Sequence, residues 1–243
     1  MGPTIFDRLR PSDIRTDPFP HAVVNAALPP DLCARLIETR PGRNQGSFRP
    51  ATRSVVPAWM MCELDFFDPA WRAFAERHTG GGTTQQVRTR FNGHWPDHLP
   101  DPPDDPEAYG LHGRDDHDSH PVLCDARLET ISPNPASPAS HRGPHLDSGN
   151  RLFSALYYLR SPDDDSDGGG LTLFRFRNRP ERLDVFAFSD QDVSAAVTIP
   201  YAANTLVVFP NRPDAIHGAE PRGPTPHDRA YIFVTAEVRD DLF

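Results

Sequence analysis

The second half of the chain predicts a mainly β fold of the sandwich or barrel class. Three observations carry this. From residue 125 onward the apolar residues fall in about eight short segments, most of them bounded by Gly, Pro, Asp or Asn. No helical period intervenes between these segments. No internal repeat of the kind that builds propellers or solenoids is present. The segments are Ala126–Ile131, Leu152–Arg160, Leu171–Arg177, Leu183–Phe188, Val193–Ile199, Thr205–Phe209, Ala215–His217 and Ala230–Val238. Eight is also the strand count of a double-sheet jelly roll.

The first half reads differently. Ala22–Val24 is a short strand, and Pro30 and Asp31 suit a helix start, with Leu32, Leu36 and Ile37 as its apolar stripe. A second helix runs from Pro69 to His78, presents Trp71, Phe74 and Ala75 on one face, and stops at Gly80-Gly81-Gly82. Gln85–Phe91 alternates and is expected to be a strand. Residues 92–121 are crowded with Pro, Asp and His and show no period, so they read as a disordered segment or a lid. The expected organisation is one domain over 1–243: helical and strand support to residue 91, an acidic Pro/His-rich loop or lid over 92–121, and a β core from 122 to 243.

Composition excludes several functions. The net charge of −9 opposes nucleic-acid binding and binding to an anionic membrane, both of which need a positive field. All 25 basic residues are arginine, which removes Schiff-base, P-loop and kinase lysine chemistry. No apolar run is long enough to span a bilayer, and the N-terminus lacks the apolar core of a secretory signal. Cys33, Cys62 and Cys124 are odd in number and far apart, which suits reduced cytoplasmic thiols.

Of the eleven histidines, only His145 is followed two residues later by an aspartate, Asp147. Residues i and i+2 of an extended segment project to the same side. A His and a carboxylate are two-thirds of the facial triad of non-haem Fe(II). An isolated H-x-D is more simply a chance pairing in a polar loop, so the rest of the chain must decide. His217, just beyond an apolar strand, is a candidate third ligand. His94, His98, His112, His117 and His120 have no spacing that fixes them on one face. His141 precedes His145 by four residues in a loop without helical register.

The local patterns PHLD (144–147), SALYYLR (154–160), GGLTLF (169–174), NTLVVFPN and AIHGAEP (within 204–221) and RAYIFVTAEV (229–238) follow one another in a fixed order. Together they resemble the iron(II)- and 2-oxoglutarate-dependent oxygenases, most closely the prolyl-hydroxylase type. The opening DPFPHAVVNAALPP is similar to the start of many bacterial members.

The resemblance implies a double-stranded β-helix, a jelly roll of eight core strands with N-terminal flanking helices. It makes His145, Asp147 and His217 the catalytic iron ligands. It makes Arg229, twelve residues after His217, the partner of the far carboxylate of 2-oxoglutarate, with Arg222 as competitor. Tyr158 matches a co-substrate-binding tyrosine, and Ser154 shares its face. The usual contact on the preceding strand is not obvious in RLETIS, where Arg127, Glu129 and Ile131 share one face.

The implied cofactors are Fe(II), 2-oxoglutarate and O₂, with ascorbate left open as an accessory reductant. The expected reaction hydroxylates an unactivated C–H bond of a small molecule or amino acid and gives succinate and CO₂. Because Asp147 is present, the halogenase variant of this chemistry is not expected. One alternative is a peptidyl or protein prolyl hydroxylase. Another is a non-catalytic metal-binding jelly roll. Arg49, Arg53, Arg88, Arg90, Arg127 and Arg142 are candidates to anchor a substrate carboxylate. Oligomeric state is not legible in the sequence.

Overall fold

The computed structural model describes residues 2–41, 53–132, 142–180, 183 and 187–243. In chain order the elements are β1 (Ile14–Arg15), β2 (His21–Asn25), α1 (Pro30–Glu38), β3 (Arg53–Val56), α2 (Ala58–Glu63), α3 (Pro69–His78), α4 (Gly81–Arg90), β4 (Tyr109–Leu111) and β5 (Val122–Ile131). They continue as β6 (Arg151–Tyr158), β7 (Leu171–Phe176), β8 (Val193–Ile199), β9 (Thr205–Pro210), β10 (His217–Ala219) and β11 (Arg229–Glu237).

The strands form two sheets. The large one has eight strands in the order β1-β2-β9-β6-β11-β5-β3, with β4 pairing in parallel with β5. The small one runs β10-β7-β8. The fold is the expected mainly β jelly roll. Its eight-stranded sheet, however, is not made of the eight segments read from the sequence. Four of those segments (β5, β6, β9, β11) join the large sheet and three (β7, β8, β10) form the small one. Half of the eighth, residues 184–186 of 183–188, lies outside the described residues.

The central strands are buried on both faces, and alternation sorts their side chains between two cores. On β6, Phe153, Ala155 and Tyr157 meet the helical layer, where Trp71, Phe74, Leu36 and Val87 are packed. Leu156 and Tyr158 turn the other way, toward Leu171, Leu173, Ile199 and Tyr201 of the small-sheet side. On β11, Ile232 and Val234 join the helical layer and Phe233 joins the inner core.

The expected helices are α1 and α3. Pro30 opens α1, and the Asp68 side chain caps α3 by accepting from the Ala70 amide at 2.9 Å.

One element is a correction. Gln85–Phe91 is not a strand but the greater part of α4, whose buried residues Thr83, Thr84 and Val87 precede buried Phe91 at helical spacing. The glycines read as a stop begin the next helix, with Gly80 as its N-cap.

Residues 92–121 pack against the rest of the domain at several points. Leu99 and Leu111 are buried, and Trp95 and Tyr109 pack on the main core. Gln85 donates to the carbonyls of Pro102 and Pro103, and side-chain carboxylates of Asp105 and Asp116 accept from nearby backbone amides, so the proline-rich stretch is held by local hydrogen bonds. Among the described residues no helix is long and apolar enough to cross a membrane.

Candidate functional site

His145 and His217 are 72 residues apart in sequence and exchange both backbone hydrogen bonds, His145 N–H to His217 O at 2.9 Å and His217 N–H to His145 O at 3.0 Å. A pair bonded in this way projects its side chains to the same side. The approach is close: a Cβ on Gly218 would stand 2.8 Å from the Gly143 carbonyl oxygen, so glycine is required beside the histidine. Asp147, two residues beyond His145, faces the same point, and Leu146 between them is buried the other way. Ligand atoms of His145, Asp147 and His217 lie within 4.8 Å of one another, and this is the one such cluster among the described residues.

Each imidazole is oriented from behind. His145 Nδ1–H donates to the Gly143 carbonyl at 2.8 Å and His217 Nδ1–H to the Ala215 carbonyl at 2.9 Å. That leaves each Nε2 as a lone pair facing the cluster, the arrangement that suits metal ligation. Burial pushes both rings toward the neutral form, His145 down to about 3 with help from His217 and Arg142. Burial alone would raise the Asp147 carboxyl. The His217 ring, the Arg151 charge and the Ser154 hydrogen bond outweigh it, and Asp147 is held ionised well below the usual range. Two neutral imidazoles and one carboxylate are the donor set for a hard-to-intermediate divalent metal with open positions.

The three residues stand on the wall of a cavity of about 290 Å³, also lined by Leu156, Leu171, Arg229, Tyr231 and Phe233. Arg229 lies in its depth. Gly168 and Gly169 make the turn that seats it. Both have positive φ, and a Cβ on Gly168 would stand 2.1 Å from the Pro221 carbonyl oxygen. The Gly169 carbonyl accepts from Arg229 Nε at 2.7 Å. The guanidinium is caged by Tyr231, Tyr201 and Tyr158, with its carbon 4.7, 5.2 and 5.4 Å from their ring centres. Among the described residues no carboxylate pairs with Arg229, although it is only 5% exposed. The Tyr158 hydroxyl beside it is buried and makes no hydrogen bond of good geometry; burial pushes it up to about 12.

Arg222 is also buried, but its side chain is fully committed: to Asp164 at 2.6 Å, to the Ser166 hydroxyl at 2.8 Å and to the His227 carbonyl at 2.8 Å. It does not line the cavity. Ser154 does not line it either, and its hydroxyl donates to Asp147 Oδ2 at 2.5 Å. His98, His112 and His120 contact Asn211 O, Glu237 and Glu107 O respectively, outside the cluster. His141 and Arg49 lie outside the described residues. Arg88 and Arg90 are on α4, away from the cavity.

Sequence reasoning missed the charged inner face of β5. Opposite Phe233 and Tyr231 of β11 stand Arg127 and Glu129. Glu129 accepts from Arg53 at 2.8 Å, Arg127 at 2.8 Å and the Tyr231 hydroxyl at 2.5 Å. Arg127 and Arg151 lie over the Phe233 ring at 4.5 and 5.0 Å. The i, i+2 spacing places Arg127 and Glu129 on one face, and Arg127 was among the candidate anchors; that this face lines the cavity is what the spacing alone does not show.

Comparison with known proteins agrees with this geometry. Residues 134–234 match the family model of the 2OG-Fe(II) oxygenase superfamily. No curated protein matches the sequence. Among solved structures, a prolyl-4-hydroxylase from Pseudomonas putida is similar over 90% of this chain and 93% of its own, at 17% identity and a TM-score of 0.50. A prolyl 4-hydroxylase structure from Phytophthora capsici is similar over 96% of this chain and 64% of its own, at 13% identity and a TM-score of 0.52. The jelly roll and the His-Asp-His cluster accord with that match, which makes residues 134–234 similar to the 2OG-Fe(II) oxygenase superfamily. The fold as a whole is similar to that of these two prolyl 4-hydroxylase structures.

Proposed function

We propose that this chain, as a single oxygenase domain, hydroxylates an unactivated C–H bond of a small molecule or amino acid and releases succinate and CO₂. The observation that carries the reading is the pairing of two unsatisfied groups across one cavity. At one end two Nε2 lone pairs and an ionised carboxylate converge; at the other a buried guanidinium has no carboxylate partner among the described residues.

The donor set fits Fe(II), which His145, Asp147 and His217 would hold. Arg229 would take the far carboxylate of 2-oxoglutarate bidentately, with the unpartnered Tyr158 hydroxyl beside it. When bound, Fe(II) with 2-oxoglutarate and O₂ supplies oxidative decarboxylation coupled to hydroxylation of the substrate. The chain's own residues set the geometry. Ser154 and Arg151 fix the two oxygens of Asp147, the second at 2.7 Å. Gly143 and Ala215 fix the imidazole tautomers. Leu156, Leu171 and Phe233 supply the apolar part of the wall. Peptidyl proline hydroxylation is the second reading, favoured by the overall likeness to the Pseudomonas putida structure. Cys33, Cys62 and Cys124 are all free thiols, which supports a reducing, cytoplasmic setting.

The test is anaerobic addition of Fe(II) and 2-oxoglutarate to metal-free protein. A weak visible charge-transfer band is expected, absent in His217→Ala. Metal binding without a band, or a band that survives in His217→Ala, rejects the assignment.

A further inference from the structure

Five guanidiniums line the cavity, those of Arg53, Arg127, Arg142, Arg151 and Arg229. In a chain of net charge −9 this is a local inversion of sign. Four carboxylates answer them. Glu129 is shared by Arg53 and Arg127, and Asp125 backs Arg127 at 3.3 Å. Asp147 and Glu237 take Arg151 at 2.7 and 3.0 Å. Among the described residues Arg142 and Arg229 have no carboxylate partner.

The two unpartnered arginines occupy different places. Arg229 is deep and is answered by the far carboxylate of the co-substrate. Arg142 is exposed at the rim, three residues before His145. Its own carbonyl accepts from the Ala219 amide at 2.9 Å, which ties its backbone to the His217 strand. Its side chain is within electrostatic reach of Asp147, Arg151, Arg53 and Tyr231.

A divalent metal and dianionic 2-oxoglutarate cancel in charge, so loading the site leaves the balance unchanged. One cation remains in excess, at the mouth, above the metal-binding cluster. A solvated surface arginine needs no partner; Arg142, at a cavity rim with Arg151 and Arg53 near it and with the neighbouring Asp147 already paired to Arg151, is placed to take an arriving anion.

We propose that the substrate is a small molecule carrying one anionic group, a carboxylate or a phosphate, which Arg142 holds at the cavity mouth. This rests on the oxygenase reading above and names its substrate class. The cavity, about 290 Å³ before the co-substrate enters, is at the small end for ligand sites and suits a small molecule. Charge placed at the rim fixes the far end of the substrate and turns its apolar part inward, toward Leu171 and Phe233.

The first experiment measures binding, with inorganic phosphate and acetate as probes. Protein saturated with Mn(II) and 2-oxoglutarate is titrated with each at constant ionic strength. At least one anion is expected to bind, and Arg142→Gln should weaken it at least about tenfold, equivalent to about 1.4 kcal/mol. Arg142→Lys should recover part of the loss. The 2-oxoglutarate affinity, which depends on Arg229, serves as the internal reference. No anion binding, or binding that Arg142→Gln leaves within about twofold, overturns the proposal. Preference for phosphate or for acetate tells the two anion chemistries apart, and either supports it.

The second experiment reads succinate formation with carboxylic acids and organic phosphates against their matched neutral esters and amides. Stimulation confined to anionic members, with a raised KM in Arg142→Gln, is expected. Equal stimulation by the neutral members, or by a proline peptide with blocked ends, overturns it. Failure of the underlying oxygenase reading looks different: the anaerobic charge-transfer band is then missing from the wild type.

Discussion

Ser154 donates its hydroxyl hydrogen to Asp147 Oδ2 at 2.5 Å, from the strand that follows the H-x-D segment. Arg151, at the start of the same strand, holds the other oxygen. The carboxylate is therefore aimed by two neighbours before any metal arrives. Ser154, expected to meet the co-substrate because it shares a face with Tyr158, stands behind the aspartate instead. Removing such a supporting contact typically costs 10–100-fold in metal affinity. Ser154→Ala should weaken Fe(II) binding by about that factor, measured by competition with a chelator. At saturating metal its 2-oxoglutarate affinity should stay near that of the wild type. A selective loss of 2-oxoglutarate affinity would return Ser154 to the co-substrate pocket.

Arg229 and Arg222 are both buried and close in sequence, yet their substitution should read out differently. On the proposed reading Arg229, bonded through Nε to Gly169, takes the far carboxylate of the co-substrate, so Arg229→Ala should raise the 2-oxoglutarate requirement. Truncating one partner of a buried charge pair costs roughly 2–5 kcal/mol, so the increase should be at least about thirtyfold. Arg222 is spent on Asp164, whose side chain is fully buried. Arg222→Ala leaves that carboxylate with only Ser166 and the more distant Arg160 and should lower folding stability by about 3 kcal/mol. Urea denaturation and 2-oxoglutarate titration of both variants separate the two roles. A larger titration shift in Arg222→Ala than in Arg229→Ala would exchange them.

Part of this site was legible where its residues lie close together or in a recognisable order in the sequence. His145 and Asp147 are two apart, and the turn before β7 and the arginine opening β11 carry recognisable spacing. What was not legible is what depends on cross-strand register. Arg127 and Glu129 look like an exterior face until β5 is seen between β11 and β3, with its charges turned inward and Ala126 and Leu128 turned to the helices. Tyr201 lies in a loop before β9, and only the folded chain brings its ring to Arg229. The helix α4 was hidden by window length. Within QQVRTRF the pattern alternates, and only the inclusion of Thr83 and Thr84 shows the helical spacing to Val87 and Phe91. The β-branched threonines and the preceding glycines both argued locally against a helix, and packing against the sheet overrode them.

The buried histidines set the acid side of stability. His78 is the clearest case because it lies away from the cavity. Its Nε2 accepts from the Ile5 amide at 3.0 Å and its Nδ1–H donates to the Phe74 carbonyl at 2.7 Å. The ring stacks on Phe74 with centroids 3.9 Å apart. Burial pushes its pKa down to about 4, with Arg77 acting in the same sense. In the unfolded chain the ring binds a proton near the ordinary value of about 6.5. Between pH 6.5 and 4 the unfolded state therefore holds more protons than the folded one, and stability is lost as pH falls through that window. From pH 7 to pH 5, His78 alone should contribute a loss of about 2 kcal/mol. His21, His145 and His217 are shifted in the same direction and add to it in metal-free protein. Asp125, pushed up by burial, works in the opposite sense just above its ordinary value. Urea midpoints of metal-free protein at pH 7 and pH 5 should show the fall. His78→Gln, less stable at pH 7, should lose about 2 kcal/mol less on acidification. An unchanged difference between the two pH values in that variant would show that His78 does not titrate in the unfolding equilibrium.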